Sequence, residues 1–128
     1  MAGDTMFRVI ELPTRADARG SLTVLDGELP FAIRRLYWIY ESDGQLRGGH
    51  RHKVTRQALL AIKGEVVIHV DNGAERQDVR LDRPDRILIV EPEDWHRMTF
   101  GAGAILLVAA SHSYDADDYI HEEYHRSA

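Results

Sequence analysis

Apolar and polar residues alternate with period two along most of the chain. Residues 65–70 place Val66, Ile68 and Val70 on one face, the pattern of a half-buried strand. Asp71-Asn72-Gly73 follows, and Asn-Gly tolerates the positive φ of a hairpin turn, so 76–81 is predicted to return as the partner strand. Strands are also predicted at 7–12, 33–40 and 56–62, the last closed by a turn at Lys63-Gly64. Two more, 86–90 and 96–100, flank a turn at Glu91-Pro92-Glu93-Asp94. Residues 104–110 form a continuous apolar run behind two glycines, which reads as a buried strand. Only 115–124 reads as helix, with acidic residues at its start to suit the helix dipole. Many short strands with closely spaced turns predict a sandwich or barrel whose open end forms a pocket.

Composition narrows the class. At 128 residues the chain is expected to be a single domain over 1–128, long enough to bury a core without disulfides or metal. A net charge of -5 argues against a general nucleic-acid partner. The absence of cysteine excludes a disulfide scaffold, a thiolate metal site and a cysteine nucleophile. No signal-peptide pattern opens the sequence, and the apolar stretch around 100–110 is short of the ~20 residues of a membrane span. The expectation is a cytoplasmic protein with no membrane partner.

The segment richest in chemistry is Gly48-Gly49-His50-Arg51-His52-Lys53. Residues two apart on a strand share a face, so His50 and His52 point together, as metal ligands or an acid/base pair would. A second cluster holds Pro92, Trp95 and His96. His96 shares parity with Met98 and Phe100, and an imidazole on that apolar face needs a partner. It reads equally as a hydrogen-bonded core histidine or a site residue. Trp95 reads as core packing or as a stacking platform for a base or sugar.

The order Gly49-His50-Arg51-His52, Gln57, Gly64, then Pro92 to His96, resembles the two cupin motifs, with Gln57 where metal cupins carry a glutamate. An amide is a poor ligand for such cations, so no metal is expected. The resemblance is closer to the sugar 3,4-ketoisomerases of deoxysugar biosynthesis. It is carried by Arg19-Gly20-Ser21-Leu22, by the run from Pro30 through Arg34-Arg35-Leu36-Tyr37, by Arg47 to Lys53, by Pro92, Trp95, His96 and Met98, and by Ser113 to Ile120.

That resemblance implies an all-β double-stranded β-helix (jelly roll) with a short C-terminal helix, usually a homodimer with exchanged N-terminal strands. It implies an isomerase of dTDP-4-keto-6-deoxy-D-glucose that uses no metal and no cofactor, serving dideoxy-aminosugar and O-antigen synthesis. His50 and His52, with Tyr37, are the implied catalytic residues; Arg19, Arg35, Gln57, Trp95 and His96 are the implied substrate-binding ones. Arg19 and His96 together accompany the galacto product in that family. Without the resemblance, Arg19 and Arg35 would be read as solvated charges, Tyr37 as core or edge, and Asp115 to Asp118 as solvated surface. Arg56 is expected to point away from Gln57. The alternatives are a 3,5-epimerase, for which no matching His-Asp pair is visible, a metal-dependent cupin, and a non-catalytic nucleotide-sugar-binding module.

Overall fold

A computed structural model of the chain describes residues 7–125. In chain order its strands are β1 (Val9–Glu11), β2 (Thr14–Asp17), β3 (Gly20–Thr23), β4 (Arg35–Ile39), β5 (Leu46–His52) and β6 (Gln57–Lys63). They continue with β7 (Val66–Asp71), β8 (Arg76–Leu81), β9 (Arg86–Val90), β10 (Trp95–Phe100), β11 (Ile105–Ala110) and β12 (Tyr119–Ile120). One antiparallel sheet runs β1-β9-β6-β11-β4 and the other β12-β5-β10-β7-β8, while β2 and β3 form a separate hairpin. This is the two-sheet arrangement of the expected cupin fold.

Alternation sets the core between the sheets. Leu59, Ala61, Leu88, Val90, Leu106 and Val108 from one sheet meet Val66, Ile68, Val70, Val79, Leu81, Met98 and Phe100 from the other. The opposite faces of β6, β9 and β11 are also buried. There Ala58, Leu60, Ile87, Ile89 and Ala109 pack beneath Leu29 and Phe31 of the segment before β4. Burial on both faces explains why these strands read as unbroken apolar runs. No helix of the described residues is long and apolar enough to cross a membrane.

The predicted C-terminal helix over 115–124 is absent. Asp115 caps a single 3-10 turn, Ala116–Asp118, accepting from the Asp117 amide, and Tyr119 returns at once to extended backbone. The acidic start was a true capping signal, but the following residues pair with β5 (Tyr119 opposite His52, Ile120 opposite Arg51). The β2–β3 hairpin went unpredicted because its residues are nearly all exposed and carry no core-facing alternation.

β5 contains the feature that shapes the site. His50 lies opposite His96 on β10, yet Arg97 lies opposite Gly48, so Gly49 is an extra, bulged residue. Both Gly48 (φ 86°) and Gly49 (φ 90°) adopt left-handed backbone. The bulge resets the alternation: Arg47 falls opposite core-facing Met98 and so shares the inner face with His50 and His52.

Candidate active site

One end of the sandwich holds an open cavity of ≈ 340 Å³ between β4, β5, β10 and β12. β4 supplies Arg35 and Tyr37, β5 supplies Arg47 and His50, β10 supplies His96 and β12 supplies Tyr119. The His50 ring lies 5.0 Å from both His52 and His96, and 4.7 Å from Tyr119. Tyr119 also lies against His52, 4.5 Å between ring centroids. The Arg35 guanidinium sits 5.3 Å from the centre of the Tyr37 ring.

Gln57, Tyr37, His96 and His52 have defined partners. Gln57 Nε2 donates to the Tyr37 hydroxyl at 3.0 Å. His96 Nδ1 donates to the Asp94 carbonyl oxygen at 3.0 Å. His52 Nδ1 lies 2.8 Å from Asp118 Oδ2, which also accepts from the Thr55 hydroxyl. Asp118 Oδ1 accepts from the backbone amides of Lys53 and Val54.

Burial governs the proton affinities. It pushes His50 down to about 3, helped by His96, His52 and His121 nearby. It likewise pushes His96 down to about 4. His52 is lowered by burial, with Asp118 opposing the shift. Burial alone would raise Asp118, but hydrogen bonds from Thr55, the Val54 amide and His52 outweigh it and bring the carboxyl to about 2. Burial raises the Tyr37 phenol, as does Tyr119 beside it. At neutral pH the cavity therefore presents neutral imidazoles and the neutral Tyr37 phenol beside the Arg35 and Arg47 side chains.

The structure gathers Tyr37, Arg35, His50, His52, Gln57 and His96 at this one end. Arg19 is elsewhere: it lies in the β2–β3 hairpin, exposed, with its guanidinium on Asp17 at 2.7 Å. Trp95 has the opposite parity to His96; its Nε1 donates to the His121 carbonyl, and it lines a separate surface cavity with His69 and Arg97. Arg56 points away from the site and makes a two-pronged pair with Glu91. The reading of Asp115 to Asp118 as solvated surface is corrected for Asp118, which is 6 % exposed. A His-Asp pair that the sequence pattern did not reveal joins His52 to Asp118. Arg47 and Tyr119 were also missed. The paired glycines hinted at the bulge that turns Arg47 inward; nothing local announced the Asp118 contact.

Among the described residues no group of three or more His, Asp or Glu is arranged to hold a metal ion.

Residues 5–127 match the family model described as FdtA: WxcM-like, C-terminal. The TDP-4-oxo-6-deoxy-alpha-D-glucose-3,4-oxoisomerase of Aneurinibacillus thermoaerophilus is 36% identical over 119 residues, covering 90% of this chain and 86% of that protein. The QdtA 3,4-ketoisomerase of Thermoanaerobacterium thermosaccharolyticum, in complex with TDP, is 36% identical and superposes with TM-score 0.85 over 90% of this chain and 87% of that one. The WlaRB TDP-quinovose 3,4-ketoisomerase of Campylobacter jejuni is 37% identical, with TM-score 0.86 over 91% and 93%. With the fold, the histidine cavity and these matches in agreement, the chain belongs to the FdtA/WxcM-like family of sugar 3,4-ketoisomerases.

Proposed function

We propose that the protein moves the carbonyl of dTDP-4-keto-6-deoxy-D-glucose from C4 to C3, giving dTDP-3-keto-6-deoxy-D-galactose. The observation that carries this reading is one cavity in which imidazole, phenol and guanidinium groups converge. The C3 hydrogen is acidified by the neighbouring C4 carbonyl. A neutral imidazole removes it, the electron pair moves onto the C4 oxygen, and an enediolate forms. Protonation at C4 and on O4, with loss of the O3 proton, leaves the ketone at C3 and a hydroxyl at C4. No electrons leave the sugar.

His50 and His52 carry these proton transfers in the proposal, and the Tyr37 hydroxyl, oriented by Gln57, donates to the sugar oxygen where charge develops. Arg35 and Arg47 hold the diphosphate. An anion beside the histidines favours their protonated forms, which moves His50 from its low resting affinity toward a useful base.

The galacto outcome rests on Arg19 and His96, the pair that accompanies that product in the resemblance. The 37% identity to a TDP-quinovose enzyme favours the gluco product as a second reading. Proton NMR of the keto sugar in D₂O with catalytic protein tests both. Conversion to a C3 ketone supports the proposal, and the H3–H4–H5 couplings of a parallel reaction in H₂O, trapped by reduction, assign the configuration at C4. Exchange at C3 and C5 with the carbonyl still at C4 would overturn it in favour of epimerisation. Arg19→Tyr with His96→Arg is expected to change the configuration at C4; an unchanged product ratio would sink that assignment.

A homodimer that exchanges N-terminal strands belongs to the same proposal. β4 is a sheet edge, and its outward residues Leu36 (53 %) and Trp38 (59 %) are exposed apolar groups. The β2–β3 hairpin pairs with neither large sheet and exposes Leu22. Docking the hairpin of one protomer on the other brings Arg19 to a site it does not reach within its own chain.

A further inference from the structure

Three histidines surround the cavity, and their hydrogen bonds are not alike. A backbone carbonyl can only accept, so His96 carries its proton on Nδ1. His52 offers Nδ1 to Asp118 and nothing to its other nitrogen: Nε2 is buried without a hydrogen-bond partner, in a ring 1 % exposed. The Asp118 carboxyl has all its acceptor capacity engaged. Oδ1 takes the amide protons of Lys53 and Val54, neither of which can accept in return. Oδ2 faces the Thr55 hydroxyl and His52 Nδ1. A carboxylate so surrounded by donors is ionised, and an ionised carboxylate admits only a donor from His52.

We propose that Asp118 is a positioning residue that locks His52 as its Nδ1–H tautomer, so that His52 meets the reaction only as an acceptor, through Nε2. This rests on the isomerase reading in assigning His52 to proton transfer and adds which atom acts and what holds it there. The 3-10 turn at Ala116–Asp118 and the pairing of Tyr119 with His52 deliver the carboxylate to a strand 66 positions earlier. No comparable hydrogen bond fixes the His50 ring among the described residues. His50 is left free to exchange protons on either nitrogen, while His52 is restricted to one role.

Asp118→Asn tests the lock. The amide oxygen can keep the two backbone donors, which turns the amide NH₂ toward His52 and Thr55. His52 then has to accept at Nδ1 and carry its proton on Nε2. Two-bond ¹H–¹⁵N correlation spectra of the ¹⁵N-labelled protein distinguish the tautomers, with His52 assigned by its loss in His52→Asn. The expected result is Nδ1–H in the wild type and Nε2–H in Asp118→Asn, with kcat down on the order of 10²–10⁴-fold and KM changed little. Thr55→Val, which keeps the charge, retains the Nδ1–H form and most of the turnover. A wild-type His52 found as Nε2–H or as imidazolium would overturn the proposal, and needs no variant to fold. So would a changed tautomer with unchanged kcat, or Thr55→Val altering the tautomer. A wild-type protein that leaves the keto sugar untouched refutes the isomerase reading instead, and the spectrum still decides the tautomer.

Discussion

Adding one methyl group at Gly48 or at Gly49 separates two physical effects at neighbouring positions. Both have left-handed backbone, φ 86° and 90°, so alanine at either carries a strain of roughly 1–2 kcal/mol. Their surroundings differ. A Cβ on Gly49 would meet only Trp95 Cζ2, at 3.9 Å, an ordinary contact. A Cβ on Gly48 would lie 2.9 Å from Met98 Sδ and 3.1 Å from both Arg97 Cα and the His96 carbonyl oxygen. The methionine tip can rotate away, but the other two atoms are backbone of β10, so the strand has to move. Overpacking of this kind costs about 1–3 kcal/mol more. Gly48→Ala is therefore expected to lose about 2–5 kcal/mol and Gly49→Ala about 1–2 kcal/mol. At roughly 4 °C per kcal/mol for a domain of this size, thermal unfolding should separate the two. Turnover sharpens the comparison, because β10 carries His96: Gly48→Ala should lose kcat beyond what its remaining folded fraction explains, and Gly49→Ala should not. Equal melting shifts, or a Gly48→Ala protein as stable and active as wild type, would refute the account of the bulge.

Other outcomes follow from the same geometry. His50→Asn is expected to lower kcat on the order of 10²–10⁴-fold with the fold intact by circular dichroism; a near wild-type rate would remove His50 from the proton transfers. Acid should destabilise the protein, since His50 (about 3) and His96 (about 4) sit below the ordinary 6.5 of the unfolded chain. Stability is then full above pH 6.5 and falls toward pH 4 as the unfolded state binds protons that the folded state refuses. Asp94, raised by burial to about 6, acts oppositely between pH 6 and 4 and offsets part of the loss. The net is on the order of 4 kcal/mol; urea titrations giving a flat profile from pH 7 to 4 would contradict the burial of these rings. Arg19→Ala and His50→Asn, each impaired alone, should regain activity when unfolded and refolded together, because an exchanged dimer assembles one intact site from the two chains. No recovery, with mixed dimers verified by mass, would count against exchange.

The strands were legible wherever one rule governed them. Alternation found β7 and β8, and unbroken apolar runs found β9 and β11, because burial leaves its period in the residues themselves. His50 and His52 were visible for the same reason, two apart on a strand. Legibility failed where a residue's fate depends on a distant partner. Asp118 belongs to a stretch that looks like the first turn of a solvated helix, and only its contact with His52, Lys53, Val54 and Thr55 makes it part of the interior. Arg47 is odd where His50 is even, so strict alternation sends them to opposite faces; the bulge at Gly49 reunites them. Arg19 is a different case, since its hairpin leaves no core-facing signature to read.

The order of the apolar clusters along the chain bears on how this protein fails. The last residue of either cluster is Ala109, whereas the wall that Tyr119 lines, with the Asp118 contact behind it, lies beyond that residue. That wall is held by polar bonds and by the two residues of β12, so little apolar surface is exposed when it lifts. The contact that orients His52 thus lies in a segment that can open separately from the core carrying the other site residues. Mild heat or a single protease cut between the barrel and the 3-10 turn would silence the enzyme while its sheets stayed folded.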